Sequence, residues 1–497
     1  MIDSFLELAT PTTAFNVVWA TFGGMVIGLL PGLTATMGLA LMTSLTYGMG
    51  SQQAILVLIC LYIGSIYGGS RSAILLNIPG TPANAATAME GYPMAMSGRA
   101  SHALGVSTVA SLVGSLFGAL CLYLLAPVLA ELALGFGSFE YFFLGVFGIL
   151  IAGTMTSLED PVKGWISGFF GLLVAMIGLE AIHAYERLSF GQLQLAGGIA
   201  LIPAMVGAFG VSELLTSIAS RRSGDVATTR EPFRLSGQLR EMASSWLTTI
   251  RACFIGIAIG IIPGVGEDVA AWISYAAGRR SRRGRDYGKG SSDGLIAAET
   301  ANSAALPGAI IPALTLAVPG SAPAAVLLAA MFIHNVRPGP LIMIENPDFV
   351  ASVVWIVVFG SIVMAVLGLL VTRPLVAILK IPKEYLTPVI FALCIIGPYA
   401  LSQRLFDVHV MLAFGVLGFL MRLMRYPMAP LILGIILGGM IDQNLRRALV
   451  LFERDPTDLL VRPIAMTLAF LCCATILAAI PGVRAFVAGR FGRIGTA

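Results

Sequence analysis

The chain has 497 residues, of which 57% are hydrophobic and only 11% are charged, and its mean hydropathy is +0.89. Because a soluble domain carries about 25% charged residues, this composition excludes a soluble protein. The net charge is only +4 and the polar stretches are no longer than loops, which argues against a nucleic-acid-binding role.

Long stretches without Asp, Glu, Lys or Arg recur along the chain. Since about 20 apolar residues cross a bilayer, we predict an all-α polytopic membrane protein with about 10–14 membrane segments. The N-terminus has acids but no basic residue before Arg71, so it lacks the features of a signal peptide. The six cysteines lie in apolar segments and are predicted to be small buried side chains. The uncharged stretches are residues 8–70, 103–130, 188–212, 300–336, 349–372 and 463–483.

Two apolar segments near the N-terminus are interrupted by Pro and Gly. Residues 23–38 read GGMVIGLLPGLTATMG, and residues 74–86 read ILLNIPGTPANAA. Pro removes a backbone donor and clashes with the preceding turn, whereas Gly permits unusual torsions, so each helix should break there. The freed N–H and C=O groups cannot face lipid and must face protein or a watered cavity.

The next part of the chain is predicted to cross the membrane five times, at residues 52–70, 103–130, 141–158, 164–182 and 194–219. Residues 71–101 are predicted to form a re-entrant hairpin whose mouth, at Arg71 and Arg99, faces the cytoplasm. The acidic loop 131–140 then lies outside, and the polar stretch 220–251 lies inside.

A second pair of interrupted segments follows. Residues 255–270 read IGIAIGIIPGVGEDVA, and residues 314–326 read LTLAVPGSAPAAV. Each aligns with its counterpart in the first half at a fixed spacing, and this shared order argues against chance matching of common residues. We predict two related membrane repeats, residues 1–220 and 252–470, with a cytoplasmic linker 221–251 and a final segment 471–497. The aligned pairs include Pro31 with Pro263, Gly32 with Gly264, Gly80 with Gly320 and Thr81 with Ser321.

The placement of basic residues predicts that the repeats are inverted. Arg240 and Arg251 precede the second Pro-Gly segment, and the basic run 279–289 follows it. Because basic loops stay cytoplasmic, residues 252–278 should enter the membrane and return as a re-entrant hairpin. The first Pro-Gly segment has no basic residue at its mouth and is expected to open to the outside. An odd number of crossings between the two segments then gives the repeats opposite orientations.

Paired segments broken by Gly and Pro are the sequence pointer to a transporter's binding site. A half-helix N-terminus offers N–H donors and partial positive charge to an anion, and freed carbonyl groups suit sodium. The alternative for the polar residues is structural, as helix caps or as bonds between helices. The candidate substrate or ion contacts are Gly32, Thr34, Asn77, Gly80, Thr81, Asn84, Gly264, Asn302, Ser303, Gly320 and Ser321, with sodium expected near Asn302, Ser303 and Thr81.

Four charged residues are further candidates. Arg71 could pair with a substrate carboxylate, but its position at the end of an apolar run favours an interfacial residue that extends towards water. Glu299, close to Asn302 in the sequence, is a second candidate for a charged contact. Glu267 and Asp268 directly follow the second Pro-Gly, where acids more often complement a helix dipole than hold a cation.

Motifs along nearly the whole chain resemble one family. The segments YGGSRSAILLNIPGTPANAATAMEGYPMA, GIIPGVGEDVAAWISYA and YGKGSSDGLIAAETANSAALPGAIIPALTLAVPGSAPAAVLLA are similar to the large membrane subunit of the tripartite tricarboxylate transporters, as are residues 406–449. The resemblance implies a bacterial inner-membrane permease that imports an organic carboxylate with a cation, usually sodium, by elevator-like alternating access. It also implies a small membrane subunit and a periplasmic binding protein as partners, and no cofactor.

Two other functions stay open on the sequence alone. An intramembrane enzyme acting on lipid would need convergent His, Asp or Glu, and a channel or assembly subunit would bind without coupling.

The sequence also departs from the family pattern at four positions, which leaves the substrate and the ion stoichiometry open. Glu90 replaces the usual Asp before Gly-Tyr-Pro, Ser303 the second Asn of a pair, Ala317 a Gly, and Asp442 a Glu.

Overall fold

The computed structural model describes residues 2–30, 33–157, 160–180, 184–219, 235–281, 286–371, 383–454 and 457–480. Over these ranges the secondary structure is helical apart from one small β-hairpin. The chain forms two compact units. The first comprises Met1–Glu131 and Ile202–Phe419, and the second comprises Leu132–Leu201 and Leu420–Ala497.

The chain begins in the first unit with helices that Pro residues help to start. Pro11 and Pro82 occupy the first positions of α2 and α5, where a missing N–H costs nothing. The long helix α4 is almost wholly buried and packs along α2 and against α3 and α5. Gly98, with φ of 87°, bends the chain between α5 and α6. The elements are α1 (Ile2–Leu8), α2 (Pro11–Leu29), α3 (Ala35–Leu45), α4 (Ser51–Leu76), α5 (Pro82–Met94), a short π-helix (Ala95–Arg99) and α6 (Ala100–Leu134).

The second unit contains one predicted crossing that is shorter than expected. The segment predicted at 164–182 is a helix that ends at Ala175, and a two-stranded antiparallel hairpin follows, with Gly178 opposite Arg187. The elements are α7 (Ser138–Thr156), α8 (Pro161–Ala175), β1 (Gly178–Leu179), β2 (Glu186–Arg187) and α9 (Leu193–Ala196).

The chain then returns to the first unit, where it forms a second set of paired helices. Helix α13 packs along α15 as α2 packs along α4, and α12 meets α13 at a bend of 77°. The elements are α10 (Leu201–Met205), a short π-helix (Val206–Val211), α11 (Ser212–Ala219), α12 (Leu235–Ser244), α13 (Trp246–Gly260), α14 (Gly266–Arg279), α15 (Ser292–Leu316), α16 (Ala322–Ile333), α17 (Ile342–Glu345), α18 (Pro347–Leu370), α19 (Lys383–Ser402) and α20 (Leu405–Leu423).

The second unit closes with α21 (Met428–Arg454), α22 (Asp458–Val461) and α23 (Pro463–Ala479), and α21 packs against α7 and α8. Asp442 on α21 pairs with Arg187 of the hairpin at 2.9 Å and with Arg446 at 3.1 Å. The hydrogen bond with Asp442 raises the pKa of Arg187 above its usual value. This charge network attaches the hairpin to α21 within the unit.

The all-α polytopic class is confirmed. Among the described residues, seven helices are long and apolar enough to span a membrane, or up to eight if the bent pair is one span. The predicted number of segments is reached only when the shorter apolar helices are counted. The boundaries of the repeats stay a prediction, because compact units are defined by packing and repeats by sequence. Four cysteines are buried as expected and Cys121 is half-buried, but the expectation is wrong for Cys473, which is exposed.

Candidate functional site

The helices break where Pro and Gly interrupt the sequence. In the first repeat, α2 stops at Leu29 before α3, and α4 stops at Leu76 before α5. In the second repeat, α13 stops at Gly260 before α14, and α15 stops at Leu316 before α16. We call residues 30, 33, 34 and 77–81 the first tip, and residues 261–265 and 317–321 the second tip. Of the predicted site residues, Gly32 lies outside the described part of the chain.

The two tips have the same backbone geometry at α4–α5 and α15–α16. Asn77 and Ala317 end their helices in the left-handed conformation, with φ of 54° and 55°. Thr81 and Ser321 then cap the next helices, each accepting a hydrogen bond from the N–H three residues later. Ala317 occupies a torsion range that favours glycine, at a cost of about 1 kcal/mol. The aligned sequence blocks therefore fold into equivalent structures.

Close backbone contacts explain the paired glycines. A Cβ atom on Gly80 would lie 2.6 Å from the carbonyl oxygen of Gly28 and 2.7 Å from Gly69 Cα. A Cβ atom on Gly320 would meet the corresponding carbonyl of Gly260 and lie 2.6 Å from Ala309 Cα. Both contacts are with backbone, which cannot turn aside as a side chain can. Glycine at these positions lets the backbone at each break pack directly against the backbone of the neighbouring helices.

The repeats also exchange contacts, which brings their tips together. Helix α5 of the first repeat packs against α14 and α15, and α16 of the second repeat packs against α3 and α4. Within the second tip, Gly264 N–H donates to the Pro319 carbonyl at 3.1 Å. Between the repeats, Trp272 Nε1 donates to the Pro82 carbonyl at 3.1 Å.

The acids after the second Pro-Gly lie in the first turn of α14, and both accept hydrogen bonds from the first repeat. Asp268 Oδ1 accepts a hydrogen bond at 3.3 Å from the N–H of Ala83, in the first turn of α5. Glu267 is buried and accepts a hydrogen bond at 3.0 Å from Tyr62, whose hydroxyl lies 2.8 Å from Ser321 Oγ. Asp268 therefore complements the N-terminus of α5 across the two repeats, and Glu267 binds a side chain of α4.

Glu299 is fully buried and its carboxylate is surrounded by hydroxyl groups. One oxygen accepts from Ser70 at 2.8 Å and from Thr87, and the other accepts from Ser107 at 2.9 Å and Ser111 at 3.0 Å. Four donors match the lone pairs that a carboxylate presents. The donors come from α4, α5 and α6, so Glu299 fastens α15 to three helices of the first repeat.

Several predicted site residues belong to a chain of hydrogen bonds that ends at this carboxylate. Thr81 Oγ1 donates to Asn84 Oδ1 at 2.8 Å, and Asn84 Nδ2 donates to Ser70 Oγ at 2.9 Å. Ser70 in turn donates to Glu299. The sequence reasoning missed Ser70, Ser107 and Ser111. Their signal was two serines one helical turn apart on α6, in a stretch without charge.

Arg71 is not at an interface that faces water. It is buried on α4, with only 3% exposure, and its guanidinium donates to the Leu104 carbonyl at 2.9 Å and to Thr108. It also lies 4.2 Å above the ring of Tyr67. The expectation of an Arg extended towards water is therefore wrong. Polar groups of α6 accept hydrogen bonds from two of the three guanidinium nitrogens, and Nε has no partner among the described residues.

The remaining predicted residues occupy different surroundings. Thr34 caps α3, accepting from Met37 N–H at 3.2 Å, and Asn77 is exposed. Asn302 is fully buried on α15, and neither atom of its amide has a hydrogen-bond partner among the described residues. Ser303 beside it is also buried. An unpaired buried amide is costly, so Asn302 calls for a functional explanation.

Glu90, which departs from the family pattern, anchors the far end of α5. Its carboxylate accepts from Tyr275 at 2.7 Å and from the backbone N–H groups of Gly290 at 2.9 Å and Ser291 at 2.8 Å. Burial, and then the hydrogen bond to Asp293, raises the pKa of the neighbouring Tyr287 well above its usual value. Glu90 therefore connects α5 to the loop that leads into α15.

Comparison with known proteins identifies the family. A model of the Tripartite tricarboxylate transporter TctA family matches residues 15–433. The chain belongs to this family. An uncharacterised 52.8 kDa protein from the TAR-I ttuC' 3' region of Agrobacterium vitis is 32% identical over 493 residues, covering 96% of each chain. A second protein of that organism, from the TAR-II ttuC' 3' region, is 31% identical over 231 residues, which cover 46% of this chain and 96% of the relative.

The family match confirms the resemblance seen in the motifs and places this chain among transporter subunits. TctA-family proteins form a transporter family and not an enzyme family, so the intramembrane enzyme is set aside. No solved structure gives a significant match to the chain.

Proposed function

We propose that this TctA-family chain is the permease subunit of a secondary transporter that imports an organic carboxylate, with the two tips forming its binding site. One observation carries the proposal: the N-terminus of α5 already holds a carboxylate, that of Asp268, on the N–H of Ala83. The broken helices thus offer backbone donors to the functional group that the family's substrates carry.

The same acids support coupling to a cation. A substrate carboxylate at the tips would lie near Glu267 and Asp268, which follow the second tip directly. Two like charges 4 Å apart repel by about 4 kcal/mol at an effective dielectric constant near 20. A bound cation, which we propose to be sodium near Asn302, Ser303 and Thr81, offsets this repulsion. Substrate and ion then strengthen each other's binding by linkage.

The partners and the setting follow from the tripartite arrangement. We propose a small membrane subunit and a periplasmic binding protein as partners, and the bacterial inner membrane as the location. We further propose that the repeats are inverted and that movement of the tips gives elevator-like alternating access. The paired break geometry and the exchanged contacts support two equivalent repeats, and the placement of basic residues in the sequence supports their inversion.

Uptake into vesicles tests the proposed function. The chain would be reconstituted with the proposed small subunit and binding protein, and uptake of labelled carboxylates measured with and without a sodium gradient. We expect saturable uptake that requires the gradient. Carboxylate flux that only follows its own gradient, unaffected by sodium or any other cation, would instead indicate a channel or an assembly subunit.

A further inference from the structure

The second tip is closed by two side chains that the first tip lacks. Tyr62 of α4 reaches the start of α16, where its hydroxyl lies 2.8 Å from Ser321 and donates to Glu267 at 3.0 Å. All three residues are buried. The second tip therefore contains its own carboxylate, held by a tyrosine next to a helix N-terminus.

The alignment of the repeats identifies the equivalent positions at the first tip. The spacing that pairs the Pro-Gly motifs also pairs whole helices, since α4 corresponds to α15 and α5 to α16 to within one residue at each end. On this alignment, Asn302 stands where Tyr62 does, Ala35 where Glu267 does, and Thr81 where Ser321 does. The first tip thus has a short amide in place of a phenol ring and a methyl group in place of a carboxylate.

Local geometry supports this correspondence residue by residue. A Cβ on Gly24 or on Gly256 would meet the backbone of Leu61 or of Ala301, which are the neighbours of Tyr62 and Asn302. Helix α15 also packs against α5, as α4 packs against α16. Tyr62 points at the cap of α16, so Asn302 is placed to point at the cap of α5.

The amide of Asn302 provides the independent sign of a ligand. It is fully buried, yet its Nδ2 and Oδ1 atoms have no hydrogen-bond partner within the described part of the chain. A buried donor left unpaired costs about 1–3 kcal/mol, and proteins rarely keep one without a function. Tyr62, at the equivalent position, is paired with a carboxylate.

We propose that the first tip binds a carboxylate group of the transported substrate in the place where the second tip holds Glu267. Asn302 Nδ2 donates to this carboxylate beside the N-terminal ends of α3 and α5, which Thr34 and Thr81 cap. Asp268 already accepts from the Ala83 N–H there, so the substrate carboxylate binds next to Asp268 and does not replace it. The inference rests on the proposed function and makes its site asymmetric. One repeat receives the substrate, and the other has its equivalent position filled by the protein itself.

Titration of the full chain in lipid nanodiscs at saturating sodium tests this inference, with citrate and succinate as the tricarboxylate and dicarboxylate probes. Asn302→Leu keeps the shape of the side chain and removes the donor. We expect affinity for the better-binding probe to fall by about 10- to 100-fold, the equivalent of one lost hydrogen bond to a charged group. The melting temperature without ligand should stay the same or rise, because an unpaired buried amide is lost.

Thr300→Val is the matched control. Thr300 is buried on the same helix, and its hydroxyl also lacks a partner among the described residues. This change should leave the affinity for each probe within about twofold of the wild-type value. Equal losses in the two variants, or none in Asn302→Leu, would overturn the inference. So would unchanged probe affinity at saturating sodium combined with a raised sodium requirement, since Asn302 would then serve the proposed sodium site and not the substrate carboxylate.

A second variant transfers the closed arrangement to the first tip. Asn302→Tyr combined with Ala35→Glu installs the residues that fill the second tip, so we expect a folded protein that binds neither probe. Binding at wild-type affinity in this variant would overturn the inference while leaving the proposed function intact. Failure of the wild type to bind or transport any di- or tricarboxylate would instead refute the proposed function, and this inference with it.

Discussion

Gly80 and Gly320 permit a strong test of whether the tips must pack as closely as the structure shows. Gly80→Ala adds one methyl group, whose carbon would lie 2.6 Å from the Gly28 carbonyl oxygen and 2.7 Å from Gly69 Cα. Normal contacts between such atoms are at least 3 Å, so the backbone of the first tip must move by several tenths of an ångström. Overpacking of this kind costs about 1–3 kcal/mol. Leucine at either glycine would separate the helices further, so alanine is the more informative substitution.

We expect uptake by Gly80→Ala and Gly320→Ala to fall by about tenfold or more, since 1.4 kcal/mol of strain in the binding geometry corresponds to a factor of ten. The assay is initial uptake rate in vesicles at equal protein, with size-exclusion profiles to confirm folding. Gly23→Ala is the control, because a Cβ on Gly23 of α2 meets nothing within 4 Å. It should transport normally. Wild-type uptake rates in both Gly80→Ala and Gly320→Ala would show that close packing at the tips is not needed for transport. The breaks would then be structural kinks only.

Three further changes probe the electrostatics and the topology. Glu299→Gln should lower the free energy of unfolding by about 2 kcal/mol or more, because the four hydroxyl donors lose a charged acceptor. Chemical denaturation in detergent measures this change. Unchanged stability together with an altered dependence of uptake on sodium would instead identify Glu299 as an ion ligand. Asp268→Asn removes a charge next to Ala83 N–H and should weaken the dependence of uptake on sodium, so an identical sodium titration would count against a coupling role. Arg285→Cys changes a residue of the basic run that lies outside the described part of the chain, and it should react with an impermeant thiol reagent only after cells are permeabilised. Labelling of intact cells would reverse the predicted topology.

The sequence predicted the breaks well because their causes are local. Adjacent Pro and Gly followed by a capping residue end a helix, whereas single prolines such as Pro127 and Pro307 lie inside helices. The caps Thr81 and Ser321 were therefore identifiable without any tertiary information. The repeats were visible for the same reason. The lengths of the other segments were less predictable, since apolar composition alone did not indicate that α8 ends at Ala175 and is followed by a hairpin.

The partners of the charged residues could not be predicted from one sequence. Arg71 looked interfacial because it ends a long uncharged run, but α6 returns to cover it with the Leu104 carbonyl and Thr108. Glu299 is separated by about 190 residues or more from each hydroxyl that it accepts from. Such pairs depend on how the repeats pack, and that packing is not encoded in local patterns.

The two repeats share a backbone but differ in chemistry, and this difference extends beyond the tips. On the alignment that pairs α4 with α15, the position of Glu299 is Ile59 in the first repeat, and those of Ser70 and Thr87 are Ile310 and Leu327 in the second. One interface between repeats is therefore fastened by a carboxylate with hydroxyl donors, and its counterpart is apolar. Gly, Pro and caps fix the torsions, so they must be kept in both repeats for the breaks to form. Side chains around the breaks are not bound by that requirement. A duplicated scaffold can thus keep two equivalent sets of broken helices, use one to receive a charged ligand and use the other as a closed support.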